Sequence, residues 1–181
     1  MDALVAAVSQ LVQQSGANAS VFFEAELLVP ERRIRELCLE NRCGKYGKHY
    51  MCPPYVGSVA EIESRLSRFR RGVLLQYSRP LDVRNDPSGL RQTKIDFHSI
   101  VLLIEESLKK NGAGEVWGMI GGSCELCLVC RATTVEPCLY PDKARTSLES
   151  MAVDVMALLD KLGLDNRFRP DRITWTGCVL F

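Results

Sequence analysis

Seven of the chain's eight cysteines fall into two tight groups, and this constrains the fold more than any other feature. Cys124, Cys127 and Cys130 are spaced C-x2-C-x2-C, and Cys138 follows after a further seven residues. Cys38, Cys43 and Cys52 form the other group, C-x4-C-x8-C, and run into Pro53-Pro54. The surrounding sequence resists regular structure. Residues 39–57 carry Asn41, Gly44, Gly47, Pro53, Pro54 and Gly57, which break helices and strands. Gly121-Gly122 opens the second group and allows the backbone to approach a metal closely. The fold must therefore hold two irregular loops on a rigid scaffold.

The thiols need a chemical reason. No apolar stretch is long enough to span a bilayer. Met1-Asp2-Ala3-Leu4 lacks the basic start and long apolar run of a signal peptide. These features predict a cytoplasmic protein. Disulfides rarely persist in that compartment, so eight cysteines point to metal binding. The net charge of +1 gives no whole-chain attraction to nucleic acid or membrane. The basic run Arg65, Arg68, Arg70, Arg71 reads as a solvated helix face, with a docking patch for an acidic partner as its other reading.

Two-residue spacers let a backbone curl around a compact cubane and aim its N–H groups at the sulfurs. The bacterial ferredoxin run has the same first spacings and ends in Cys-Pro. In this chain the proline precedes the last cysteine, as Pro137. Structural zinc sites present two C-x2-C knuckles across a longer spacer, which a tight triplet fits poorly. The spacing thus predicts a [4Fe–4S] cluster on Cys124, Cys127, Cys130 and Cys138, with zinc as the rival metal.

The first group is one thiolate short of a closed site. Its fourth ligand is Cys178, His49 or none, and the last case leaves an iron open to substrate or sulfide. Cys178, in Gly177-Cys178-Val179-Leu180, reads as a buried apolar thiol. His49 reads as a loop histidine and His98 as a structural residue of a long helix. Arg145 is either a surface charge or a cation that tunes the thiolate cluster. G-x-G-x-x-G, the Walker-type loop, G-x-S-x-G and H-E-x-x-H are all missing, so nucleotide binding and zinc hydrolysis lack support.

Strand and helix patterns alternate along the chain. Helical periods cover 4–15, 31–37, 58–69, 90–110 and 147–162, with Ser58 and Glu61 as a capping box. Strand patterns cover 20–28, 73–77, 115–120 and 172–181. In the long helix, Phe97, Val101, Ile104 and Leu108 form one face, which Ile100, Leu102 and Leu103 widen. These patterns predict one α/β domain over 1–181, with α+β also open, and a sheet of about four strands. The N-terminal helix, within 1–19, is expected at the periphery.

Together the motifs resemble a known family. They are Cys38-x4-Cys43-Gly-x-Tyr46-Gly47-x4-Cys52-Pro53-Pro54, then Gly121-Gly122-x-Cys124-x2-Cys127-x2-Cys130-x7-Cys138-x2-Pro141-x3-Arg145-x-Ser147. From about residue 20 onward the chain is similar to the predicted metal-binding proteins called domain of unknown function 2284. The resemblance implies a small cytoplasmic iron–sulfur protein of anaerobic bacteria and archaea, with no reaction attached. Cys178 departs from the apolar residue expected in the family, and Tyr50 supplies its usual aromatic. One or two clusters passing electrons to a partner protein is the leading expectation. An enzyme working at an open iron and a zinc-stabilised interaction module are the alternatives.

Overall fold

The computed structural model describes residues 3–181. Met1 and Asp2, part of the expected N-terminal segment 1–19, lie outside the described residues. Strands β1 (Ala19–Glu24), β2 (Arg71–Pro80), β3 (Trp117–Met119) and β4 (Arg172–Leu180) form one sheet in the order β1-β2-β4-β3. Helices α1 (Ala3–Ser15), α2 (Arg32–Leu39), α3 (Val59–Leu66), α4 (Pro87–Lys110) and α5 (Val155–Lys161) pack around it. Every strand pairing is antiparallel, so this single mixed α/β domain takes the α+β form. Among the described residues no helix is long and apolar enough to cross a membrane.

The central strands are covered on both faces, which explains why β2 reads as the near-continuous apolar run Val73-Leu74-Leu75. Val73, Leu75 and Val179 face α1 and α4, joined by Val8, Val12, Phe97 and Ile104. Leu74, Cys178, Leu180 and Met119 face the other layer, with Ile62 and Leu66 of α3 and Leu158 and Leu159 of α5. Each such side chain, fully buried, contributes about 1.5–3 kcal/mol.

Local chemistry sets the helix ends. Ser58 accepts from the Glu61 N–H, and the Glu61 carboxylate takes the Ser58 N–H at 2.7 Å, the reciprocal box the sequence predicts. Helix α4 begins earlier than the apolar period does, because Asp86 caps Gly89 and Pro87 suits the first turn. It ends at Lys109-Lys110, and Gly112 takes φ +87°.

Three elements depart from the sequence reading. The strand expected over 20–28 ends at Glu24, and a 3-10 turn, Ala25–Leu27, follows it. The predicted helix over 147–162 is split. A 3-10 turn, Glu149–Met151, ends at Ala152 with φ +62°, and Asp154 then caps α5 through the Ala157 N–H at 3.0 Å. On α4 the expected face of Phe97, Val101, Ile104 and Leu108 is buried together with Ile100, but its extent differs. Leu103 is 43% exposed, whereas the polar residues His98 and Glu105 are inside.

Glu105 explains its own burial. Its Oε1 accepts the Gly118 N–H at 2.5 Å, and its two oxygens receive Nε and Nη2 of Arg145. A Cβ at Gly118 would run into Glu105 Oε1 and Val101, so only glycine lets β3 come this close to α4. A buried carboxylate is tolerated when fully paired, and removing it strands the opposite charge. Glu105→Ala is therefore expected to cost about 3–5 kcal/mol. Urea denaturation measures this; a loss near zero would show that the pair does not hold α4 to β3.

Candidate metal centre

The first cysteine group sits where α2 runs into the 39–57 loop. Cys38 occupies the last turn of α2, half-buried, with its Sγ 3.9 Å from the Glu149 carbonyl oxygen. Cys43 is exposed and Cys52 is buried. Ser150 Oγ donates to Cys52 Sγ at 3.8 Å, so the 3-10 turn braces both thiols. Burial pushes the Cys52 thiol up to about 11, against the pull of the Ser150 hydrogen bond, and the Cys43 and Cys38 thiols add to the rise. Arg35 reaches over this group from α2. Its Nη1 and Nη2 donate to the Gly57 and Ser150 carbonyls at 3.2 and 3.0 Å, while its buried Nε has no partner. Burial draws its charge down and Cys38 supports it.

The second group folds differently. Cys124, Cys127, Cys130 and Cys138 all line one small pocket, together with His49, Tyr50 and Met51. Burial pushes the Cys124 thiol up, and main-chain N–H groups of Leu126 and Arg145 hydrogen-bonded to its sulfur pull it back. The intervening Leu128 and Val129 face solvent, 89% and 69% exposed.

Two clamps join the loops. Tyr50 Oη donates to the Glu136 carbonyl at 2.7 Å. Glu125, inside the C-x2-C turn, receives Lys94 at 3.3 Å and has Lys45 and Arg91 each at 3.9 Å. The carboxylate stays below its usual range despite burial, held there by Ser123, Lys94 and Lys45. Three cations against one carboxylate leave a surplus of two positive charges beside the thiol loop.

Several sequence expectations change. His49, weighed in the sequence as a ligand of the first group, lines the second pocket, while its carbonyl accepts the Cys52 N–H at 3.0 Å. Burial and the Lys45 charge lower its pKa, so it is neutral at pH 7. The Arg145 side chain is neutralised by Glu105 at 2.5 Å, and it is the Arg145 main chain that touches the site. Gly121 permits close approach to β4, since a Cβ there would stand 2.9 Å from the Thr176 carbonyl oxygen. Cys178 is fully buried in β4 between Leu74 and Met119, away from both groups, and burial drives its thiol strongly upward. His98 Nε2 pairs with the Lys143 carbonyl at 2.8 Å, a structural role as predicted.

Among the described residues, no three His, Cys, Asp or Glu side chains close on a single point as they would around one ion. The donor set nonetheless fits a thiolate-bound group. Four sulfurs line one pocket, one already takes two N–H donors, and the buried, unpartnered Nε belongs to Arg35, whose charge acts on Cys38 of the other group. Glu125 and Tyr50 escape sequence reasoning as clamps, because their partners Lys45, Arg91, Lys94 and Glu136 lie on distant segments.

Thiol reactivity should follow this placement. In metal-stripped protein at pH 8, a thiol with its pKa near 11 is about 0.1% thiolate, too little for fast alkylation. Iodoacetamide is expected to label exposed Cys43 first, leaving Cys52 and Cys178 unlabelled until the chain unfolds. Peptide mass mapping follows this; Cys178 reacting as fast as Cys43 would contradict the placement.

No curated protein and no solved structure matches the chain. Over residues 21–181, which excludes α1 and includes both cysteine groups, the chain matches the family model described as predicted metal-binding protein (DUF2284), and it belongs to that family.

Proposed function

We propose that this chain is an iron–sulfur protein that passes single electrons to or from a partner protein. Cys124, Cys127, Cys130 and Cys138 would hold one [4Fe–4S] cluster, and Cys38, Cys43 and Cys52 a second. The observation that carries this reading is the gathering of four thiols on one pocket, with two main-chain N–H groups on the Cys124 sulfur. Four thiolates on a single zinc ion, with bonds of about 2.3 Å, would lie within about 4 Å of one another.

When bound, such a cluster supplies reversible one-electron transfer, at a potential tuned by hydrogen bonds, charge and exposure. The chain's own residues do the tuning. Leu126 and Arg145 donate to sulfur, which favours the thiolate. Lys45, Arg91 and Lys94 outweigh Glu125 and offset negative charge on the loop. Leu128 and Val129 bring the ligand loop to the surface, where a partner protein can approach the sulfurs.

A second reading rests on the first group. It has three thiols, Cys178 is sealed in the core, and Arg35 Nε has no partner. This supports an open coordination position where Lewis-acid or sulfur-transfer chemistry takes place.

Iron and acid-labile sulfide are counted on anaerobically purified protein. About four of each per chain are expected for one cluster and about eight for two. Cys124→Ser should remove one cluster's worth, while Cys178→Ala should remove none. Colourless protein with stoichiometric zinc would overturn the iron reading. A spectrum of the Cys38 group that shifts on adding cyanide supports the open position, and an unmoved spectrum rejects it.

A further inference from the structure

A cavity of about 550 Å3 opens beside α3 and α4, with Trp117 of β3 in its wall. Small-molecule sites span about 300–1,000 Å3. This is not the four-thiol pocket, although Tyr50, Met51 and Ala144 line both.

Most polar groups in the wall are committed elsewhere. Glu61 is held by the Ser58 N–H and hydroxyl, each at 2.7 Å. Glu105 and Arg145 neutralise each other. The hydroxyls of Tyr50 and Tyr55 donate to the carbonyls of Glu136 and Gly47 at 2.7 and 3.2 Å. Thr146 Oγ1 is sealed from solvent, out of a ligand's reach.

Arg65 is different. Its guanidinium lies 3.8 Å from the centroid of the Trp117 ring. Its ion-pair partner Glu115 stands 3.7 Å away and is held more closely, at 2.9 Å, by Arg68. Burial lowers the Arg65 pKa against the support of Glu115, and the nearby Arg68 and Arg145 charges lower it further. Val56, Ile62, Val116 and Met151 make much of the remaining wall apolar. The cavity thus offers one cationic fork and an apolar, aromatic lining. Such a fork binds a carboxylate in two parallel hydrogen bonds.

We propose that this cavity binds a small organic carboxylate, its carboxyl group on the Arg65 guanidinium and its apolar body against Trp117 and Ile62. The bound molecule is separated from the second cysteine group by the layer of side chains that lines both cavities. The inference does not depend on iron.

Trp117 reports on the site. The chain has two tryptophans, so Trp175→Phe leaves Trp117 as the only one. Titration of this full-length variant with 3-phenylpropionate is expected to give a saturable fluorescence change in the millimolar range or below. The neutral amide, 3-phenylpropionamide, should bind at least about tenfold more weakly, as should inorganic phosphate, which lacks the apolar body. Arg65→Met should abolish the preference for the acid, and Arg65→Lys should keep part of it. Equal binding of acid and amide, phosphate binding as well as the acid, or no saturable change would each overturn the proposal. Ligand-observed NMR on the unaltered chain repeats the comparison of acid and amide without any substitution. Metal-stripped and iron-loaded protein are both measured, so failure of the iron reading leaves this result interpretable.

Discussion

The buried Glu105 carboxylate pairs α4 with Gly118 of β3 and with Arg145 beyond the second cysteine loop. A lone carboxylate in the interior is far too costly to persist, so its position is fixed by the groups that pair with it. Those groups come from two other parts of the chain. Gly118 supplies an N–H from β3, and Arg145 supplies its guanidinium from the segment after the second cysteine loop. One side chain on α4 thereby sets where β3 lies and where the chain runs at residue 145. The Arg145 N–H then reaches the Cys124 sulfur. The position of that sulfur-bonding N–H follows, two steps removed, from a charge buried in the core.

The loops themselves have little apolar material with which to hold a shape. Ordering irregular backbone costs about 1–2 kcal/mol per residue, and no strand pairing offsets it. Polar clamps replace the missing core. Glu125 draws Lys45 from one loop and Arg91 and Lys94 from α4 toward the C-x2-C turn. Exposed ion pairs are worth little, but the Glu125 and Lys94 side chains are each only 15% exposed, so screening is weaker. The same cations that fix the loop also set its charge. Structure and electrostatics are not separable at this site.

What could be read from the sequence follows the range of the interaction. The Ser58–Glu61 box was legible because cap and partner lie within one turn. The C-x2-C-x2-C triplet was legible because its spacing reflects a compact shared site, and those thiols do line one pocket with Cys138. The four-strand sheet was legible from period, though not its antiparallel order, which depends on pairing between distant strands. Glu105 was hidden. A charged residue on a helix reads as solvent-facing, and nothing local reveals a partner 40 positions away. The helix expected over 147–162 failed because Asp154 offers a better start than any residue near 147, and the released turn serves Cys38 and Cys52 instead.

Four consecutive residues connect the sites. His49 lines the four-thiol pocket, Tyr50 and Met51 line both that pocket and the Arg65 cavity, and Cys52 belongs to the other thiol group. The Cys52 N–H bonds back to the His49 carbonyl at 3.0 Å, so the tetrapeptide is a tight turn rather than an extended strand. In a turn this short, successive side chains fan out in different directions, which is how one segment serves as the wall of several compartments. A packed wall cannot change on one side alone. Movement at Tyr50 or Met51 is felt in the thiol pocket and in the carboxylate cavity together. Through the main chain it also reaches Cys52. One short turn thus carries walls of both pockets and a thiol of the first cysteine group, with no thiol shared between the two groups.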